Sequence, residues 1–388
     1  MRTEFYGYER DDGEVGIRNY VLVISMVHCA NTVAQQIAWA TGAHVIVHDC
    51  GCVEFADQHE RTCLALLSAA KNPNVYASLL VGLGCEQTDH DKLLKEIVSC
   101  GRKAEYVGIQ EQHGAKEAVA RGIEMVKKMQ KDAARQDRKA FPLSRLVLGV
   151  QCGGSDWTTA LSGNSTIGAM TDLLVSLGGS VIISEVAGFP GSEHVLANRA
   201  VSTEVGLQII QMCDELREAY VLQHGQTIEE VNPTPGNKAG GITTLVEKSM
   251  GNVKKIGVTS PIQGLIYAGQ HVPHPGVWIL DLRAPGIDGN ATTGFSMSGA
   301  VIDVFSTGRG SPLGNAVMPT LKLTGNPRSY EEMTGLFDFN AGVVLQGKPL
   351  EEAGAELLEK VISIASGEET KSEINGNFEY LIPRENRH

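Results

Sequence analysis

The residues with most chemical potential lie in Gln151-Cys152-Gly153-Gly154-Ser155-Asp156, where a thiol, two glycines, a hydroxyl and a carboxylate follow one another. Just before them the apolar run Arg145–Val150 reads as a buried strand. Glycine permits positive φ and close backbone approach, so Gly153, Gly154 and Ser155 are candidates for holding a substrate. A helical pattern near Ile167–Leu177 would direct its positive end to the same place. A tight strand-to-helix turn around a buried cysteine would use the same residues, so the segment alone does not decide between a site and a turn.

The device recurs. His48-Asp49-Cys50-Gly51-Cys52 follows Ala43–Val47, Gly82-Leu83-Gly84-Cys85-Glu86 follows Ala77–Val81, and Thr307-Gly308-Arg309-Gly310 follows Ala300–Phe305. Each is a β-rich run ending in glycine plus a ligand-like or anion-binding group. Ligands collect at the carboxyl ends of strands in open parallel sheets, so four such ends point to an enzyme.

The mixture of imidazole, thiol and carboxylate in His48, Cys52, Cys85, Glu86 and Cys152 would suit Fe2+, Mn2+ or Zn2+. Any one of these cysteines could equally be a small buried hydrophobe. Asp156, Glu185 and Lys238 are candidates for moving protons. Glu247 and Lys248 are adjacent, so on a helix they diverge and one of them is expected to be structural. Arg309, flanked by Thr307, Gly308 and Gly310, supplies a fixed cation among backbone donors, suited to a carboxylate or sulfonate. The chain has no GxxxxGK[ST] phosphate loop and no G-x-S-x-G elbow.

What must position these residues is a Gly-rich α/β framework. The 388 residues exceed one simple core, with 42% hydrophobic and 5% aromatic content and 44 glycines. The expected class is multi-domain α/β, built of Rossmann-like parallel-sheet units with Gly-rich strand-end loops. Residues 1–140 form one α/β domain and residues 141–388 a catalytic α/β region, divisible near 225–255. Lys127–Phe141 reads as a solvated helix end and linker, Asn232–Gly241 as a loop, and Ser372–His388 as a surface or subunit-contact arm. A net charge of −12 argues against nucleic acid. Eight cysteines without disulfide-scaffold density, no apolar leader and no membrane-length run indicate a cytoplasmic protein with reduced thiols.

Taken together the segments resemble the altronate and galactarate dehydratase family, also called the UxaA family. The resemblance rests on Gly7–Gly13 with Val15–Asn19, His48-x-x-Gly51-Cys52, Asn72–Val75, Gly82–Glu86 and Gln151–Asp156. It continues through Pro235–Gly241 with Glu247–Ser249, Thr307–Gly310 and Asp338-x-Asn340-Ala341-Gly342, and so spans nearly the whole chain. It implies a metal-dependent lyase that performs β-elimination on a small anionic 2-hydroxy acid, with Fe2+ the expected metal and Mn2+ or Mg2+ alternatives. On this pattern His48, Cys52, Cys85, Glu86 and Cys152 would lie near the metal, and Asp156, Glu185 and Lys238 would do acid–base work. Family motifs begin at residue 7, so a separate small SAF-domain subunit is expected, within an oligomer.

Known members of the family remove water from sugar acids or sulfite from (2R)-sulfolactate. Asp49 and Cys50 depart from the His-Gln and Gly-Cys pattern frequent in the dehydratases, and Arg283 adds a cation near the expected site. An added arginine suits a carboxylate-sulfonate dianion, which favours sulfolactate, cleaved to pyruvate and sulfite by the large subunit of a two-subunit enzyme. The same arginine would suit galactarate, so a sugar-acid dehydratase is the alternative. Two other classes stay open. A non-catalytic subunit would hold no metal and tolerate loss of Cys152, and a thiol redox protein using Cys50 and Cys52 would be alkylation-sensitive without metal.

Overall fold

The computed structural model describes residues 2–284 and 286–384. Two parallel sheets carry the chain, as the apolar β-branched runs dictate. In the N-terminal part, strands His44–Ile46, Tyr20–Ser25, Val75–Gly82 and Lys103–Gly108 lie side by side in that order, all parallel. Val75–Gly82 is buried along its whole length, as a central parallel strand covered on both faces must be. Helices Asn31–Thr41 and Ala115–Ala133 pack on one face of this sheet, and Ala56–Lys71 and His90–Ser99 on the other.

The larger sheet has seven strands, in the order Ile262–Tyr267, Gly276–Asp281, Ser180–Ile183, Val147–Cys152, Ile302–Ser306, Thr320–Thr324 and Phe339–Asn340. All neighbouring pairs are parallel. The chain leaves Val147–Cys152 toward one edge of the sheet and later resumes on its other side with Ile302–Ser306. That reversal makes a crevice outside the carboxyl ends of these two strands. Between Ser180–Ile183 and Ile262–Tyr267 the chain makes a long helical excursion, which includes Thr203–His224 and Leu245–Val253.

Three expectations need correction. The segment 127–141 is a solvated helix end as expected, the helix running to Ala133, but the connection after it is not all linker, because Lys139–Pro142 pairs antiparallel with Glu4–Glu9. Asn232–Gly241 is not all loop, because Pro235–Ala239 forms a helix turn; proline at its first position has no N–H to lose, and Thr234 caps it. The C-terminal arm does not ride on the surface. Phe378, Tyr380 and Ile382 join the core beneath the N-terminal sheet, and the last four residues of the chain lie outside those described. No helix among the described residues is long and apolar enough to cross a membrane.

Candidate active site

A cleft of about 420 Å³ opens at the carboxyl ends of four strands of the larger sheet, a size within the ~300–1,000 Å³ usual for small-molecule sites. Cys152, Gly153, Gly154 and Ser155 form its floor, Glu185 and Arg283 extend from the next two strand ends, and Arg309 and Gly310 come from the other side of the crevice. The helical excursion returns Asn237 and Lys248 as a wall, and Asp288 closes the site at the start of helix Asp288–Met297.

Cys152 is the centre of a buried polar knot. Its amide donates to Glu185 Oε2 at 3.0 Å, and its sulfur accepts from Lys255 Nζ at 3.2 Å and Asn164 Nδ2 at 3.3 Å. Lys255, with no exposed surface, also forms a very close ion pair with Glu185. Burial pushes the Cys152 thiol up, but Lys255 and the hydrogen bond from Asn164 outweigh this, so it ionises more readily than a free cysteine. Glu185 sits in the left-handed region at φ 75°, a strain of ~1–3 kcal/mol for a residue with a side chain. Its pairing with Lys255 and the Cys152 amide holds it there.

Lys248 Nζ donates to Asn232 Oδ1 at 2.8 Å and Asn237 Oδ1 at 3.1 Å, and Asn237 Nδ2 donates to Ser155 O at 3.0 Å. These bonds aim the ammonium across the cleft with one of its three donors to spare. Burial lowers its pKa, against the opposing pull of Cys152 and Asp288. Its neighbour Glu247 is the structural member of that pair: it closes the capping box with Thr244 at the start of helix Leu245–Val253.

Several residues expected at the site are built into its supports instead. Asp156 does not line the cleft. Its carboxylate accepts from Thr158 Oγ1, Thr159 N and Asn326 Nδ2, tying the Ser155 turn to the strand-end loop beyond Thr324. Thr307 and Gly308 are buried behind Arg309: Thr307 Oγ1 accepts from Gly310 N at 3.1 Å, and Gly308 O accepts from Ser329 Oγ at 2.8 Å. Arg309 N donates to Gly154 O at 3.0 Å, so the two glycine loops are laced together. Lys238 is exposed outside the cleft. The lysines that reach the cleft and its floor are Lys248 and Lys255. Sequence reasoning overlooked Lys255 and Asp288; the only hint of Lys255 was a pair of lysines, Lys254 and Lys255, enclosed between Val253 and Ile256, a pattern that surface lysines share.

The expected metal ligands do not assemble. His48 has both ring nitrogens engaged, Nδ1 accepting from Cys50 N at 3.1 Å and Nε2 bonded to Ser25 O at 2.8 Å. That pattern places the proton on Nε2, and burial lowers the pKa of the ring. Glu86 Oε2 accepts from the amides of Leu83, Gly84 and Cys85, so the chain's own carboxylate fills the anion nest at that strand end. Cys52 and Cys85 are exposed on the N-terminal sheet, while Cys152 lies in the other domain's cleft. Among the described residues no group of three or more His, Cys, Asp and Glu side chains is arranged to hold a metal ion. As arranged, these five residues do not fit one.

Two family models match the chain. The family model described as D-galactarate/altronate dehydratase, C-terminal, matches residues 143–387. The one described as D-galactarate dehydratase/altronate hydrolase, second domain, matches residues 7–134. An altronate dehydratase of Bacillus subtilis is 33% identical over 390 residues, covering 97% of this chain and 77% of that protein. The (2R)-sulfolactate sulfo-lyase subunit beta of Chromohalobacter salexigens is 31% identical over 385 residues, covering 98% and 97%. The galactarate dehydratase (L-threo-forming) of Escherichia coli is 30% identical, covering 94% and 73%. With both models matched and such relatives aligned along nearly the full chain, this protein belongs to the D-galactarate/altronate dehydratase family and is a lyase.

Proposed function

We propose that the cleft performs β-elimination on a small 2-hydroxy acid carrying a second anionic group, with (2R)-sulfolactate the substrate and pyruvate and sulfite the products. The observation that carries this is the cation set lining the cleft: Arg283 and Arg309 come from strand ends on opposite sides of the floor, and Lys248 from the helical wall. Two guanidinium groups suit the two ends of a dianion, because each can bind a carboxylate or sulfonate through paired N–H donors. Lys248, held by two asparagines and partly desolvated, is suited to stabilise the negative charge that develops when the C2 proton leaves. The buried Cys152–Lys255–Glu185 knot keeps the floor rigid beneath that charge.

Sugar-acid dehydration is the second reading, favoured by the amide and hydroxyl groups of Asn232, Thr234 and Asn237 in the same wall. Such groups would bind the extra hydroxyls of a six-carbon acid. The sulfo-lyase reading includes a second, small subunit of the SAF type, consistent with the word subunit in the name of the Chromohalobacter relative.

The test is an anaerobic assay of the purified chain, with and without the small subunit and added Fe2+ or Mn2+, on sulfolactate, altronate and galactarate. Sulfite and pyruvate released in equal amounts are the expected result. A 2-oxo-3-deoxy sugar acid formed without sulfite would overturn the sulfonate reading in favour of the second.

A further inference from the structure

Among the carboxylates in and around the cleft, one is held differently. Glu185 is bound by Lys255 and the Cys152 amide, Asp156 by two threonines and Asn326, and Asp303, behind the floor, by Gln151 and Thr292. Asp288 lines the cleft, yet no described residue gives a hydrogen bond to its carboxylate. Its oxygens lie against the floor: a Cβ at position 153 would stand 2.0 Å from Oδ2 and 2.7 Å from Oδ1. Glycine at 153 therefore makes the space that this carboxylate occupies.

We propose that Asp288 is the general base that takes the C2 proton. The assignment rests on the β-elimination reading above and deepens it. A base needs an oxygen lone pair not already committed to a protein donor, within the substrate's cleft, and Asp288 meets both conditions. Glu185, the other carboxylate lining the cleft, is held by both oxygens, Oε2 by Lys255 and the Cys152 amide and Oε1 by the Cys152 thiol at 3.5 Å. The charged groups around it are Lys248 on the wall, Lys255 beneath the floor, and Lys322 and Asp303 from the strands behind. Burial raises its pKa above the ordinary carboxylate value, while the three lysines pull it down. A carboxylate shifted in that direction is a stronger base than a free one. In the step, the C2–H pair becomes the C2=C3 bond and the C3–S pair leaves with sulfite. Asp288, now protonated, returns its proton to C3 as the enol becomes pyruvate, and the enol hydroxyl proton passes to solvent.

The experiment compares wild type with Asp288→Asn, Asp288→Glu and Gly153→Ala, using sulfolactate or whichever acid the wild type accepts, deuterated at C2. Asp288→Asn is expected to slow turnover by about a thousand-fold, the scale of a lost general base. Its KM should change less than about five-fold, and it should release no C2 deuterium, either to C3 of the product or to water. Asp288→Glu should keep partial activity with a shifted acidic limb of the pH–rate profile. Gly153→Ala, whose methyl would displace the carboxylate, should slow turnover although residue 288 is unchanged, which guards against an Asp288→Asn chain that fails to fold. An Asp288→Asn enzyme within about ten-fold of wild type, or one that still washes out deuterium, overturns the assignment and leaves the elimination reading standing. A wild type silent on every acid overturns both.

Discussion

The fully buried ammonium of Lys255 forms a close ion pair with Glu185 and donates to the Cys152 sulfur. A buried charge that loses its partner costs roughly 3–5 kcal/mol, and somewhat less where, as for Glu185 at the cleft wall, the remaining ion keeps some access to water. Lys255→Met is therefore expected to destabilise the protein by about that much, measured by urea unfolding. Lys255→Met combined with Glu185→Gln should recover part of the loss, since the second change removes the stranded charge. With Glu185→Gln alone measured as well, a double variant whose loss equals the sum of the two single losses would contradict an interacting pair. Iodoacetamide should also react differently with Cys152 in Lys255→Met, because the group that helps its thiol ionise is gone.

At the scale of elements, the strand-end logic was legible and the supporting contacts were not. Apolar β-branched runs ending in glycine identified the carboxyl ends of Val147–Cys152, Val75–Gly82 and Ile302–Ser306 almost to the residue. The roles of the residues after them depend on what crosses from other elements, and no local pattern encodes that. Asp156 looked catalytic because it ends a Gly-Gly-Ser turn, but Asn326, 170 residues away, claims its carboxylate. Lys255 and Asp288 reach the site only because the helical excursion and the helix after Gly276–Asp281 fold back over the sheet. The same interlocking predicts an effect for Gly308, where a Cβ would lie 2.1 Å from Asp156 Oδ1. Gly308→Ala should cost ~1–3 kcal/mol by overpacking and reduce kcat/KM by moving Arg309. A variant with wild-type melting temperature and kcat/KM would show that the loops yield without displacing Arg309.

Across the whole molecule, the N-terminal sheet and the C-terminal arm are joined by an ion pair in which both side chains are 9% exposed. Arg18 gives Glu373 two hydrogen bonds, of 2.7 and 2.9 Å, and reaches the backbone of Ile364 and Glu368, while Tyr20 donates to the same carboxylate at 2.6 Å. Beyond this clamp Phe378 packs on His44, and Tyr380 donates to Ala65 O, so the arm is fastened along the elements of the N-terminal sheet. Burial raises the Glu373 pKa, but Arg18, Thr370 and Tyr20 outweigh it, and the folded value lies below the ordinary 4.5. The sign follows from linkage: the folded state binds this proton more weakly than the unfolded one, so the contribution is complete above about 4.5 and disappears as pH falls through the folded value. Glu373→Gln should thus lower stability by roughly 3–5 kcal/mol at pH 7, with the gap to wild type closing on acidification because wild-type Glu373 is then also neutral. Chemical denaturation of both proteins across pH 7 to 3 measures that gap directly. A difference that stays constant over the range would mean that the clamp acts through shape rather than charge, and the arm's docking would then have to rest on Phe378, Tyr380 and Ile382 alone.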